Sequence, residues 1–258
     1  MNIFQSIILG IVQGLTEFLP VSSTAHLRIV PALLKWEDPG TAYSAVIQLG
    51  TVFAVILFFW KDLKQIYKTK QALWILYGTL PICFFGLLLK KPIENGLFRD
   101  LNIIAISLIV IGIVLLISEK LSKQNKPLEN ITLKDVLLIG FAQSLALIPG
   151  VSRSGITLIA AMFIGLKRPD AARFSFLLSI PAVVLSGALE LKTLIETVRA
   201  GEDIFWMSVG FGTISAFISG YMAIDFLLKY LKDHKTYVFV FYRVILGLVL
   251  IFLSYKGI

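Results

Sequence analysis

The chain has 258 residues, of which 57% are hydrophobic and 16% are charged. A soluble domain of this length carries roughly 45–50% apolar and about 25% charged residues, so this composition excludes a soluble globular protein and predicts a membrane protein. The net charge of +8 comes mostly from Lys and Arg in short connectors between apolar runs, which favours membrane topology over nucleic-acid binding, and the lone Cys83 excludes a disulfide-stapled secreted domain.

Eight apolar regions follow one another along the chain, and six of them are long enough to cross a bilayer as helices. These runs are continuous and do not alternate, which is typical of helices and not of a β-barrel. The predicted fold is therefore an all-α polytopic membrane protein that forms a single domain, 1–258. The six predicted transmembrane helices are 43–60, 72–89, 101–117, 174–191, 204–224 and 237–254.

Two further apolar regions are interrupted by helix-breaking residues. The region 3–34 is broken at Pro20-Val-Ser-Ser-Thr, and the region 133–166 is broken at Pro149-Gly-Val-Ser-Arg-Ser-Gly. Each half has about 11 to 18 residues, fewer than the roughly 20 that a spanning helix needs. Both regions are therefore predicted to be re-entrant helical hairpins, each entering and leaving the membrane on one side.

The charges orient this arrangement. If both hairpins return to their own side, the connectors 61–71, 118–134, 167–173 and 225–236 share one face, and they carry 14 Lys and Arg against 8 on the other face. The positive-inside rule then places these four connectors in the cytoplasm and both termini outside. Lys90, Lys91 and Arg99 weaken the bias, because they cluster on the predicted outer side.

The two broken regions are also related in sequence. Each is followed by three predicted transmembrane helices, and because three is odd, the second copy is predicted to be inverted relative to the first. The inverted-topology repeats would cover about 1–120 and 131–258. A shift of 130 positions brings five identities into register, namely Gly10 with Gly140, Gln13 with Gln143, Leu15 with Leu145, Val21 with Val151, and Ser22 with Ser152.

Polar groups collect around the first break. Gln13 and Glu17 are four residues apart and share a helical face. Pro20 then ends the half-helix, and His26 lies in the first turn of the next one. The hydroxyl groups suited to capping that second half-helix belong to Ser22, Ser23 and Thr24.

The second break has the chemistry of an anion site. A new helix beginning near Ser154 would point free backbone N–H groups and its positive dipole end into the gap. Arg153 adds guanidinium donors suited to a phosphate. Hydroxyl donors come from Ser152, Ser154 and Thr157.

Charged residues inside apolar runs need separate explanations. A charge at membrane depth costs at least ~2.5 to 3.5 kcal/mol on insertion scales, so Glu17 and Arg153 are predicted to line a functional cavity. Arg243 lies near the end of a predicted transmembrane helix and is predicted to extend its side chain towards the interface.

Both broken segments resemble signatures of the undecaprenyl-diphosphate phosphatase family, also called bacitracin-resistance proteins. The first signature, Glu/Gln-x-x-x-Glu with a downstream histidine, is matched by Gln13-Gly-Leu-Thr-Glu17 and Leu19-Pro-Val-Ser-Ser-Thr-Ala-His26. The second signature, Pro-Gly-x-Ser-Arg-Ser-x-x-Thr, is matched by Pro149-Gly-Val-Ser-Arg-Ser-Gly-Ile-Thr157. Both matches are complete and occur in the expected order, and the length and helix pattern fit the family along the whole chain.

The resemblance implies a hydrolase of the bacterial inner membrane that removes the terminal phosphate from undecaprenyl diphosphate. The product is the lipid carrier that is recycled for peptidoglycan and cell-wall synthesis. Family members confer bacitracin resistance because the antibiotic sequesters the diphosphate. The family also implies a divalent metal, Mg²⁺ or Ca²⁺, and the predicted partners are this lipid and the bilayer, with no nucleic acid and with a homo-oligomer left open.

The resemblance also assigns roles to the residues of both breaks. We expect the diphosphate to enter from the outer face, with Glu17 holding the metal or acting as base. Ser23, His26 or water would be the nucleophile, and the sequence leaves all three open. Predicted catalytic residues are Glu17, Ser23, His26 and Arg153. Predicted substrate-binding residues are Gln13, Ser22, Thr24, Gly150, Ser152, Ser154 and Thr157.

A secondary transporter or a lipid flippase for a phosphate-bearing substrate is the alternative. Inverted repeats with broken helices near the midplane are typical of transporters as well as of such an enzyme. The set of Glu17, Ser23 and His26 distinguishes the two, because a carrier needs the arginine but has less use for an acid, a base and a nucleophile.

Overall fold

The computed structural model describes residues 1–66, 69–89, 100–199 and 206–255. Within these ranges the regular elements are helices, which confirms the predicted all-α class, and the one exception is an isolated bridge between Lys126 and Leu166. The α-helices in chain order are α1 (Ile3–Phe18), α2 (Ser23–Leu34), α3 (Gly40–Phe58), α4 (Trp60–Ile66), α5 (Gln71–Leu88), α6 (Leu101–Leu121), α7 (Leu133–Ser144), α8 (Arg153–Phe163), α9 (Arg168–Arg199), α10 (Trp206–Asp233) and α11 (Tyr237–Tyr255).

Six helices in the described ranges are long and apolar enough to cross a membrane: α3, α5, α6, α9, α10 and α11. Each overlaps one of the six predicted transmembrane helices, so this prediction is confirmed. α9 begins earlier than predicted, at Arg168, and α10 continues to Asp233, because both helices extend into polar residues. Lys90, Lys91 and Arg99 lie outside the described residues.

The two breaks have the same local backbone. Ser22 and Ser152 are the N-caps of α2 and α8, and they have positive φ angles of 75° and 71°. Such angles are uncommon for a residue other than glycine. In each case the serine hydroxyl accepts from the backbone N–H three residues later, at Ala25 and Gly155. Two positions related by the 130-residue shift therefore start their helices in the same way.

Glu119, at the end of α6, connects three helices at one end of the bundle. Its two carboxylate oxygens accept from Arg168 Nε, at the start of α9, at 2.9 and 3.0 Å. Oε2 also accepts from the Thr236 hydroxyl, just before α11, at 2.9 Å. Nearby in the sequence, Arg173 forms an ion pair with Asp62 of α4 at 2.8 Å. Each of the four connectors predicted to share a face thus contacts another of them.

Close helix contacts occur where glycines meet a neighbouring backbone. A Cβ atom at Gly10 of α1 would lie 2.2 Å from the carbonyl oxygen of Gly212 in α10. A Cβ atom at Gly140 of α7 would lie 2.5 Å from the carbonyl oxygen of Gly78 in α5. Small residues of this kind let membrane helices pack at short range. The helix before each break is therefore packed against a long helix of the other half of the chain.

Candidate active site

The carboxylate of Glu17 lies at the centre of the candidate site, in the last turn of α1, and the residue is 5% exposed. Oε2 accepts from Gln13 Nε2 and from Ser23 Oγ, both at 2.8 Å. Oε1 accepts from Gln48 Nε2 at 2.9 Å and from Arg153 Nη2. Four donors from α1, α2, α3 and α8 thus converge on one carboxylate, and the two breaks of the chain meet there.

Arg153 is the first residue of α8, and its guanidinium group joins the second break to the first. Besides its ion pair with Glu17, it donates from Nη1 to the Ser179 carbonyl of α9 at 3.4 Å. Burying two opposite charges is costly unless hydrogen bonds satisfy them both. The amides of Gln13 and Gln48 and the Ser23 hydroxyl provide such bonds to the carboxylate, so the pair is held in a defined geometry.

Hydroxyl groups of the second break are engaged with the protein. Ser154 Oγ donates to the Leu19 carbonyl of the first break at 3.2 Å. Thr157 is fully buried, and its hydroxyl donates to the Arg153 carbonyl at 2.7 Å and also contacts Ser175 of α9. These bonds fix the first turn of α8 beside Glu17.

The other predicted substrate-binding residues lie in the same two loops. Ser22 Oγ is 3.0 Å from Thr24 Oγ1, and Thr24 is exposed whereas Ser22 is buried. Ser152 Oγ is 3.2 Å from the Ser154 hydroxyl. Gly150 has a φ of 91°, which a glycine adopts without strain. The substrate-binding roles of these residues stay predictions.

His26 makes its hydrogen bonds outside the group of donors that surrounds Glu17. Its Nδ1 is 2.7 Å from the Ser22 carbonyl oxygen, and its Nε2 is 2.5 Å from the Tyr242 hydroxyl. Because a carbonyl oxygen only accepts, Nδ1 carries a proton, and in the neutral ring Nε2 accepts from Tyr242. The two rings are also stacked, with centroids 5.6 Å apart. Both ring nitrogens of His26 therefore bond groups other than Glu17 and Ser23.

The prediction that Arg243 extends towards the membrane interface is wrong, because α11 turns this residue inward and the structure buries it completely. Broken helices leave backbone carbonyls without helical partners, and a guanidinium group offers five N–H donors for them. Arg243 thereby joins both breaks to α6. Its five acceptors are the carbonyl oxygens of Pro20, Ser107, Leu108, Gly150 and Val151, at 2.8 to 3.4 Å.

The sequence does not predict three residues that contact the site: Gln48, Tyr242 and Arg243. Gln48 carried the clearest signal, because a lone amide inside the apolar run 43–60 is expensive unless it has a partner. Tyr242 had no comparable signal, since tyrosine is common near the ends of membrane helices.

Glu17 is the one carboxylate of the candidate site to which a metal ion could bind. Among the described residues, no group of three or more His, Cys, Asp or Glu side chains could hold a metal. Glu17 is already engaged through both oxygens by four donors. Mg²⁺ is often bound through one or two carboxylates together with substrate phosphates. Because these four donors occupy about as many lone-pair sites as a carboxylate has, an ion would bind Glu17 only by displacing at least one of them.

Comparisons with known proteins agree with these features. Residues 6–249 match the family model described as "Bacitracin resistance protein BacA". The chain is 50% identical to the undecaprenyl-diphosphatase of Myxococcus xanthus, and the alignment covers 100% of this chain and 91% of that protein. It is 49% identical to the undecaprenyl-diphosphatase of Gloeobacter violaceus, over 99% and 93%. It is 48% identical to that of Trichormus variabilis, over 97% and 83%.

Proposed function

Because the chain belongs to the BacA family of bacitracin resistance proteins, we propose that it hydrolyses undecaprenyl diphosphate to undecaprenyl phosphate and inorganic phosphate. The observation that carries the proposal is the Glu17 carboxylate, which binds both Ser23 and Arg153. It brings a hydroxyl group, a carboxylate and a phosphate-binding cation together inside an apolar protein. The reaction regenerates the lipid carrier of cell-wall synthesis and accounts for bacitracin resistance.

The proposal places this site inside a bacterial inner membrane, between two re-entrant hairpins, α1–α2 and α7–α8. Their short helices support it, because α1 has 16 residues and α8 has 11, fewer than a spanning helix needs. The end of α8 also lies near the start of α7, because Lys126 contacts both: its N–H donates to the Gly165 carbonyl at 2.8 Å, and its ammonium group pairs with Asp135.

The halves 1–120 and 131–258 would form an inverted repeat around this site. The matching φ angles and caps at Ser22 and Ser152 support this arrangement, as do the equivalent close contacts of Gly10 and Gly140. With the four connectors in mutual contact and carrying 14 of the Lys and Arg, we place that end in the cytoplasm. Both termini and the opening of the site then face outwards.

In the proposed mechanism, Arg153 and the N-terminal N–H groups of α8 bind the terminal phosphate. Ser152, Ser154 and Thr157 keep that turn in position and line it with hydroxyl groups. If Glu17 exchanged one of its hydrogen-bond donors for a Mg²⁺ or Ca²⁺ ion, it would hold that ion, which would supply positive charge to the phosphates. The same guanidinium group stabilises the charge that develops on the phosphoryl oxygens during transfer.

The 2.8 Å bond from Ser23 to Glu17 favours Ser23 as the nucleophile. Ser23 Oγ forms a bond to the terminal phosphorus while its proton passes to Glu17. The bond from that phosphorus to the bridging oxygen breaks, and undecaprenyl phosphate leaves. Water then attacks the phosphorus of the phosphoserine, and the bond from Ser23 Oγ to phosphorus breaks. Ser23 Oγ takes its proton back from Glu17, and inorganic phosphate is released. His26, already bonded to Ser22 and Tyr242, would position this turn of α2.

The ion pair of Glu119 and Arg168 favours an enzyme over a transporter or flippase. Alternating access requires one half of such a protein to rock against the other. Glu119 belongs to the first half and Arg168 to the second, and the Glu119 side chain has no solvent exposure. Rocking at this point would leave the buried Glu119 carboxylate without its guanidinium partner, which is unfavourable.

Phosphate release from undecaprenyl diphosphate by the purified protein, with and without a chelator, tests the proposal. We expect release that is lost in Glu17→Ala, Ser23→Ala and Arg153→Ala, and no transport of the lipid in sealed vesicles. Lys229→Ala, on the surface of α10, should retain activity and serves as the control. Near wild-type release by Glu17→Ala or Arg153→Ala would show that the site is assigned incorrectly, and activity in Ser23→Ala would return the nucleophile to His26 or water.

A further inference from the structure

A cleft of about 120 Å³ lies beside the candidate active site, at the end of the bundle where α3 begins. Its lining combines polar and apolar side chains. The polar ones are Thr24, Arg28, Asp38, Thr41 and Ser44, and the apolar ones are Leu27, Ile104, Leu147 and Pro149.

The polar lining residues on α2 and on α3 both lie close to residues that hydrogen-bond to Glu17. On α3, Ser44 is four residues before Gln48, so the two share a face about 6 Å apart along the helix, and Gln48 donates to the carboxylate at 2.9 Å. On α2, Thr24 directly follows Ser23, which donates to the same carboxylate at 2.8 Å. The cleft therefore lies one helical turn from the reacting groups.

Arg28 occupies the outer part of this cleft, one turn beyond Thr24 on α2. Its guanidinium group forms an ion pair with Asp38, and the two side chains are 29% and 45% exposed. Arginine binds phosphate oxygens through paired N–H donors, and an ion pair at this exposure is worth little. A phosphate group can therefore compete with Asp38 for Arg28.

Building on the proposed function, we infer that this cleft admits the diphosphate head group and that Arg28 is its first phosphate contact. The guanidinium exchanges Asp38 for a phosphate oxygen, and the head group then passes along Thr24 and Ser44 to Arg153. The apolar side chains of the lining, Leu147 among them, accommodate the first prenyl units. Arg28 acts in binding and takes no part in the chemical step.

The test compares Arg28→Gln with Asp38→Asn in the purified full-length protein, with undecaprenyl diphosphate as substrate. A charge-assisted contact at a partly exposed site is worth about three- to tenfold in affinity, so Arg28→Gln should raise KM by that factor with little change in kcat. Asp38→Asn should lower KM or leave it unchanged, because it removes a charged competitor for the guanidinium.

A purely structural ion pair makes a different prediction, because either substitution removes the pair and both should then change KM in the same direction. Arg173→Gln is the matched control, since Arg173 is also partly exposed and pairs with an aspartate, but at the other end of the bundle. It should leave KM and kcat unchanged. Arg28→Lys, which keeps the charge but not the paired donors, should give a KM between those of wild type and Arg28→Gln.

Inhibition by inorganic diphosphate supplies a second measurement that needs no lipid. Its inhibition constant should rise in Arg28→Gln and stay the same in Arg173→Gln. If the wild-type protein is active but Arg28→Gln has the same KM and the same inhibition constant, this cleft is not the entry site, and the proposed function is unaffected. Absence of phosphate release by wild-type protein would instead overturn the proposed function, and this inference with it.

Discussion

Replacing Arg243 with methionine should weaken the fold and the activity together. The side chain is fully buried, and three of its acceptors, Pro20, Gly150 and Val151, belong to the two breaks. Methionine is apolar, of comparable length and flexible enough to fill the space, so the substitution removes mainly the donors. Arg243→Met would therefore leave these three carbonyl groups buried without hydrogen-bond donors.

The size of the effect follows from those bonds. A buried acceptor left without a donor costs about 1–3 kcal/mol, so the three break carbonyls together account for about 3–9 kcal/mol. Removing the guanidinium also removes the cost of burying its charge, which offsets part of this. We expect a net loss of about 3–5 kcal/mol in the free energy of unfolding, and a fall in kcat of at least about tenfold, because Glu17 and Arg153 lie within three residues of the affected carbonyls.

The assay is thermal unfolding in detergent together with phosphate release from undecaprenyl diphosphate. Arg243→Lys should lie between wild type and Arg243→Met, because an ammonium group has three donors in place of five. Lys229→Met, at an exposed position of α10, should change neither measurement. The reasoning is refuted if Arg243→Met unfolds at the wild-type temperature with wild-type kcat, or if Arg243→Lys is as damaging as Arg243→Met.

Three further predictions concern single contacts. Gln48→Leu, which removes the 2.9 Å bond to Glu17, should lower kcat/KM about tenfold without changing the unfolding temperature. Gln48→Glu should lower kcat/KM further, because it adds a like charge beside the carboxylate. Wild-type kcat/KM in both variants would contradict the role of Gln48. Tyr242→Phe keeps the stacking on His26 but loses the hydroxyl group bonded to Nε2, and we expect a several-fold loss of kcat, compared with no loss in Tyr221→Phe. Burial would raise the pKa of the Asp135 carboxyl group, but hydrogen bonds from Lys126 and Thr132 hold its pKa below the ordinary value. The ionised Asp135 carboxylate therefore stabilises the folded state above the ordinary pKa, and this stabilisation is lost as pH falls through the folded-state pKa. The unfolding temperature of Asp135→Asn should accordingly depend less on pH between about pH 6 and pH 3 than that of wild type.

Local chemistry was readable from the sequence wherever the determining residues are neighbours along the chain. The sequence predicts Ser22 as a cap candidate for α2 and places Gln13 beside Glu17, to which Gln13 donates at 2.8 Å. The second half-helix was predicted to begin near Ser154, and it begins at Arg153. These features depend on spacings of three or four residues, which helical geometry fixes.

Contacts between distant helices could not be read in the same way. Tyr242 meets His26 across 216 positions, and Gln48 meets Glu17 across 31. Hydropathy identifies a transmembrane helix but not which face turns inward, because lipid and the protein interior are equally apolar. For this reason the sequence did not show that Arg243 lies on the inward face of α11, where it contacts both breaks.

The proposed inverted repeat would have a consequence for how many chains one site requires. Under the 130-residue shift, Glu17 corresponds to Leu147, and Arg153 corresponds to Ser23. A symmetric pair of first halves would hold two carboxylates and no guanidinium at the junction, and a pair of second halves would hold the reverse. In the proposed arrangement, joining two unlike halves in one chain therefore gives one acid and one cation at the junction, and both come from the same chain.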